Sequence, residues 1–410
     1  MENLVLAVFA VTYLGMAFGY IPGLKIDRTG IALTGVVILF AFGAIKVESF
    51  GHFVDLPTLL LLFGMMIVSS QYAQAGFYDW VAGKLASAPG SPARLLLLVV
   101  VVAGLLSAVL ANDIIAFAIA PVLAAGTSRR GLDPRPFLIA LAGACNAGSA
   151  MTVIGNPQNI LIGQEAHLDF WRFIAICAPA GLAAMAIVYG VVVWQWRAQL
   201  TDRPQDESHM AVPAPDHWQG GKAVLAAVVL VALFTTSFPR DLAALVVAAA
   251  LLISRRVASR DIIARVDWGL LLLFACLFTV TGAFSSLGLA GQGMDWLNQN
   301  GILPTTSDVM APMMLLLGNT ISNVPAVILI LSVWHNPPEG AMYAMALLST
   351  LAGNFLIVGS LANIIVVERA ATAGVRLGFR DHARSGIPIT LLSMAAAVLW
   401  LWATGWMPLS

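Results

Sequence analysis

Residues 94–127 read RLLLLVVVVAGLLSAVLANDIIAFAIAPVLAAGT. The hydrocarbon core of a bilayer, about 30 Å thick, takes roughly 20 apolar residues as one helix, so this stretch is too long for a single crossing. It is also too short for two crossings separated by a loop. Ala111, Asn112 and Asp113 interrupt it near its middle, which predicts a re-entrant hairpin whose two arms enter from one side and turn near the membrane midplane. Non-helical backbone at that depth is tolerated only where protein or a water-filled cavity surrounds it. The turn is therefore expected to line a cavity. A second stretch, 305–334, is broken in the same way at Gly318-Asn319-Thr320-Ile321-Ser322-Asn323 and predicts a second hairpin.

The rest of the chain has the same character. Of its 410 residues 60% are hydrophobic and 10% charged, whereas a soluble domain is about a quarter charged. The expectation is an all-α polytopic membrane protein. Its 21 basic and 21 acidic residues cancel, which removes a general electrostatic case for nucleic acid as a partner. Cys145, Cys177 and Cys276 sit in apolar runs without C-x-x-C spacing, so neither a disulfide framework nor a zinc site is indicated. All six histidines fall in polar connectors and no H-E-x-x-H occurs. No cofactor is expected beyond a coupling ion, Na⁺ or H⁺. No Lys or Arg precedes the apolar run Leu4–Ile21, which reads as a first span rather than a signal peptide.

Ten crossings are predicted, at 3–22, 30–45, 57–77, 137–164, 171–196, 222–238, 241–254, 267–288, 341–367 and 386–406. With both termini outside, only Lys46, Arg172 and Arg240 of the 21 Lys and Arg fall on the outer side. The positive-inside rule makes the other face cytoplasmic, and a bacterial inner membrane is the expected location. The polar segment 197–221, WRAQLTDRPQDESHMAVPAPDHWQG, reads as a cytoplasmic linker. It separates a first repeat (1–196, hairpin 94–127, broken helix 137–164) from a second (222–410, hairpin 305–334, broken helix 341–367). Each repeat has about five transmembrane helices, one of them broken, plus one hairpin. An odd number of crossings inverts the second repeat relative to the first. Three pairs of segments support the repeat in the same order: VDLPTLLLLFGM (54–65) with VDWGLLLLFAC (266–276), ANDIIAF (111–117) with ISNVPAV (321–327), and GNPQNILIGQEA (155–166) with GSLANIIVVERA (359–370).

Inverted repeats with broken helices are the build of secondary transporters, which hold substrate and ions where the repeats meet. Four polar interruptions qualify. They are the two hairpin tips, Asn146-Ala147-Gly148-Ser149 leading into Gly155-Asn156-Pro157-Gln158-Asn159, and Gly353-Asn354 leading into Gly359-Ser360-Leu361-Ala362-Asn363. The candidate substrate- and ion-binding residues are Asn112, Asp113, Gly155, Asn156, Pro157, Asn159, Asn319, Ser322, Asn323, Gly359, Ser360 and Asn363. Unwound carbonyls can coordinate a cation, and half-helix N-termini can face an anion. Asp113 is the one carboxylate at the centre of these interruptions, able to bind Na⁺ or carry a proton, or to cap the second hairpin arm. Na⁺ is expected near Asn112, Asp113 and Gly155, and near Asn323 and Gly359. None of the four regions contains Lys, Arg or His, so a small anion, oxyanion or neutral oxyacid would be held by amides, hydroxyls and helix N-termini. Cys145 reads as packing. Gly15 and Gly19 have a G-x-x-x-G spacing that admits a homodimer.

The run ANDIIAFAIAPVL (111–123) followed by NAGSAMTVIGNPQNILIG (146–163) resembles the paired signature of the ion transporter superfamily. That superfamily includes arsenite efflux permeases, D-type sodium/proton antiporters, citrate transporters and sodium/dicarboxylate symporters. Asn112-Asp113-Ile114 and Ser322-Asn323-Val324 stand where the symporters carry Ser-Asn-Thr, with both threonines replaced. Gly155–Asn159 and, more loosely, Gly359–Asn363 match a Gly-Thr-Pro-Pro-Asn-like segment. The resemblance is nearest to bacterial anion permeases of the arsenite-permease branch. It implies alternating access by movement of a hairpin and broken-helix core against a scaffold. The expected function is cation-coupled secondary transport of a small anion or oxyanion, with arsenite efflux or sodium/proton exchange as the alternative. A channel is less favoured. An intramembrane enzyme would need a partner for Asp113 that the sequence does not offer, and no G-x-x-x-x-G-K-[ST] occurs for a self-contained ATP-driven pump.

Overall fold

The computed structural model describes residues 1–19, 23–200, 214–288, 296–334 and 336–410. Among these the chain is helical, without strands. Much of the punctuation is local: Asp27, Asp55, Ser91, Asn156, Asp169, Asp216 and Asp267 each accept a hydrogen bond from the backbone at the start of the following helix, which satisfies donors that a helix N-terminus leaves orphaned. Asp55 and Asp267 do this at the matching positions of the first repeated segment pair.

The first half comprises α1 (Glu2–Phe18), α2 (Arg28–Ala41), α3 (Leu56–Gln74), α4 (Phe77–Ala86), α5 (Pro92–Val109), α6 (Asn112–Arg129), α7 (Arg135–Ser149), α8 (Pro157–Glu165) and α9 (Phe170–Gln195). The second comprises α10 (His217–Phe234), α11 (Arg240–Leu252), α12 (Trp268–Ser285), α13 (Ser307–Thr320), α14 (Asn323–Val333), α15 (Glu339–Ala352), α16 (Leu361–Thr372) and α17 (Phe379–Ala403). The chain breaks fall at Leu110-Ala111 between α5 and α6, at 150–156 between α7 and α8, at Ile321-Ser322 between α13 and α14, and at 353–360 between α15 and α16. Ser322 turns its corner with φ of 77°, a left-handed value rare outside glycine.

Among the described residues six helices are long and apolar enough to cross a membrane: α3, α5, α9, α10, α12 and α17. α5 qualifies on its own although the sequence assigns it to a hairpin arm, because its 18 residues at 1.5 Å each come close to the bilayer thickness. Other boundaries differ from the sequence reading. The linker 197–221 ends early, since Asp216 caps α10 and its last residues are helical; residues 201–213 lie outside the described residues, as do 20–22 of the first expected span. α4 was not anticipated; it is short, and its Tyr78 hydroxyl lies 2.9 Å from Ser69 Oγ of α3. The last span begins at Phe379 rather than 386, which brings His382 into the helix. Gly15 packs on Ile31 of α2.

Packing sorts the helices into two sets. α1, α2, α3, α10, α11 and α12 pack on one another; α5–α9 and α13–α17 form the other set, with α5 on α7, α9 on α17 and α6 on α16 as main contacts. α4 lies mainly against α6. The sets meet along α12 with α14 and α3 with α8. Outside the membrane-spanning part, Arg135 at the start of α7 binds Asp133 at 2.7 Å and Asp381 of α17 at 3.4 Å. Burial alone would raise the Asp133 carboxyl, but the hydrogen bonds from Arg135 hold it below the ordinary carboxylate range.

Candidate functional site

The broken helices meet through a buried polar network centred on Asn146 of α7. Its Nδ2 donates to Asn354 Oδ1 at 2.8 Å and to Asn363 Oδ1 at 3.3 Å. Its Oδ1 accepts from Ser360 Oγ at 2.9 Å and from Asn112 Nδ2 at 3.4 Å. On the other side of the same contact Asn156 Nδ2 donates to Thr350 Oγ1 at 3.1 Å. In the alignment of the two GN/GS segments, Asn156 corresponds to Ser360, and carrying the same register back pairs Asn146 with Thr350. Each half-helix cap therefore bonds to the preceding helix of the other half, in exchange.

The register extends to the breaks. Asn159 Nδ2 donates to the carbonyls of Ser149 and Thr152 at 3.2 and 3.0 Å. Asn363 Nδ2 donates to those of Gly353 and Leu356 at 2.8 and 3.1 Å. Both amides thus satisfy carbonyls freed where the helix unwinds, as burial requires. Asn319 does related work in the second half, donating to Ala352 O at 2.9 Å and accepting from Leu356 N at 3.2 Å. A Cβ at Gly359 would lie 2.3 Å from Asn319 Oδ1, so that position needs glycine. His382 Nε2 lies 3.2 Å from the Asn354 carbonyl.

A cavity of about 610 Å³ opens beside this network, bringing Asn112, Asp113, Asn146, Pro157, Ser322, Asn323 and Ser360 to one wall system. Gly155, Asn156 and Asp113 also line an adjoining recess of about 90 Å³. Asn159, Asn319, Gly359 and Asn363 are not among the residues lining either. The N-terminal residues of α8 (Pro157, Gln158) and α16 (Leu361) border the larger cavity, so two half-helix N-termini face one space. At the two hairpin tips, Asn112 is 5% and Asn323 7% exposed, and the Oδ1 of each has no hydrogen-bond partner among the described residues. Two buried carbonyl oxygens without donors are what an absent oxygen-seeking cation would leave behind.

Sequence reading named Asn146 and Asn354 within the polar interruptions where the repeats meet but not among the binding residues, and it missed Thr350, a hydroxyl inside an apolar run. It also missed charged side chains that line the larger cavity: Asp27 and Arg28 at the start of α2, Asp267 just before α12, and Glu368 of α16. Cys145 is buried within the hydrophobic core.

A many-helix membrane chain with a polar cavity between paired helix breaks has the build of a solute transporter. A family model described as citrate transporter, CitMHS, matches residues 5–347, and the chain belongs to that family. It is a transporter and not an enzyme. The inner membrane protein YbiR of Escherichia coli is 30% identical over 88% of this chain and 91% of its own. The silicon efflux transporter LSI3 of Oryza sativa is 27% identical over 95% of each, and a 46 kDa membrane protein of Mycobacterium leprae is 28% identical over 97% of this chain and 98% of its own. Among solved structures, the Alcanivorax borkumensis YdaH transporter superposes with a TM-score of 0.59 at 14% identity, covering 100% of this chain and 98% of that one. Neisseria gonorrhoeae MtrF gives 0.59 at 13%, covering 98% and 94%.

Proposed function

We propose that this chain is a cation-coupled secondary active transporter of a small anion or oxyanion in the bacterial cytoplasmic membrane. Alternating access would come from the broken-helix set moving against the set built on α1–α3 and α10–α12. The observation that carries the reading is the pair of buried, unpartnered Asn112 and Asn323 carbonyl oxygens at the two tips. One Na⁺ would sit among Asn112, Asp113 and the Gly155 backbone, and a second near Asn323 and Gly359, with H⁺ at Asp113 as the alternative to the first. The anion would lie between the N-termini of α8 and α16, against Ser322 and Ser360.

A second reading, efflux of an uncharged oxyacid, is favoured by the four carboxylates Asp27, Asp113, Asp267 and Glu368 around the cavity and by the similarity to the silicon efflux transporter LSI3. One proteoliposome screen separates the two: citrate, phosphate, sulfate, arsenite and silicic acid, each with and without a Na⁺ or H⁺ gradient. Saturable, gradient-driven anion flux is expected. Asp113→Asn is expected to abolish the response to the gradient, and an Asp113→Asn protein that keeps the wild-type rate and gradient dependence would remove Asp113 from coupling.

A further inference from the structure

We infer that Arg28 is a one-sided capture residue, binding the anion's charge only while the cavity is open to the face where Arg28 lies. This rests on the alternating-access anion reading above. Arg28 is half-buried, and among the described residues it is the one basic side chain lining the large cavity, whose walls also carry Asp27, Asp113, Asp267 and Glu368. Arg265 is exposed and lines only the small recess.

The side chain is poised rather than engaged. No hydrogen bond or ion pair holds its guanidinium among the described residues, in contrast to Arg135, which is fixed between Asp133 and Asp381. A partly desolvated guanidinium with five donors and no acceptor is matched to a carboxylate or oxyanion. The charge chemistry of the site itself agrees, since the polar groups between the breaks are amides and hydroxyls and offer no cation of their own.

The sidedness follows from which helix carries the residue. Arg28 opens α2, which packs on α1 and α12, whereas Asn112, Asn146, Ser322 and Ser360 belong to or flank helices of the other set. Moving one set past the other carries the bound substrate away from Arg28. The guanidinium then contributes to affinity on its own face, cytoplasmic by the charge distribution, and not on the opposite face.

The test compares Arg28→Gln and Arg28→Lys in inside-out and right-side-out membrane vesicles, using whichever of citrate, phosphate or sulfate the wild type carries fastest. Arg28→Gln is expected to raise KM about ten- to hundredfold on the Arg28 face and to leave KM on the other face and the Na⁺ dependence unchanged. Arg28→Lys should recover part of the loss. An equal change on both faces, or none on either, overturns the inference while leaving the transport reading intact, and so does a wild type that carries only arsenite or silicic acid in uncharged form. A wild type with no saturable flux of any probe instead overturns the transport reading. The unchanged face serves as the folding control.

Discussion

Asn146 spends both ends of one amide on four partners drawn from three other segments of the chain. Asn146→Ala would leave the Asn354 and Asn363 carbonyl oxygens and the Ser360 hydroxyl without these bonds inside a buried site. Lost bonds of that kind cost about 1–3 kcal/mol. A lowered melting temperature in detergent together with lost flux is expected, and a variant as stable as wild type would show the bonds to be dispensable. Amides in apolar runs announced the neighbourhood of the site in the sequence. Their pairing was not legible, because Asn146 and Asn354 come together only through folding of distant segments. His382 was missed for a different reason: Arg380, Asp381 and Arg384 make the start of the last span polar, so a hydropathy boundary fell past it, whereas α17 starts at Phe379.

At the scale of elements, α5 and α7 approach until backbone meets backbone. A Cβ at Gly148 would lie 2.0 Å from the Gly104 carbonyl oxygen, and no side-chain rotation can relieve that contact. Gly148→Ala is expected to destabilise the protein by about 1–3 kcal/mol or more, read as a thermal shift. Gly190→Ala, in α9 with open space around it, should be neutral or slightly stabilising. The helix breaks were visible in the sequence because Gly, Pro and Asn cluster there and disfavour helix. α4 was not, since a ten-residue helix bearing Asp79 and Lys84 has neither the length nor the apolarity of a span. Its place is decided by packing against α6.

For the whole molecule, the membrane class was legible from composition, but the division into two packing sets was not. It depends on which distant helices touch, and α2 against α12 or α6 against α16 leave no mark in local sequence. The seam between the sets can be tested directly. Ser285 Oγ of α12 donates to the Ser332 carbonyl of α14 at 3.1 Å, so cysteines at Ser285 and Ser332 should cross-link across the seam and stop flux. Cysteines at Gln195 and Ser385, whose native side chains meet at 2.7 Å within one set, should be bridged by a short bifunctional thiol reagent with flux retained. Flux that survives the first cross-link would rule out relative movement at α12 and α14. The network at the centre has a further consequence. Its bonds across the two halves run between amides and hydroxyls, groups that do not titrate between about pH 4 and 9, so protonation leaves this junction unaltered across that range. An acid or alkaline dependence of transport must therefore originate outside this junction, in groups that can gain or lose a proton.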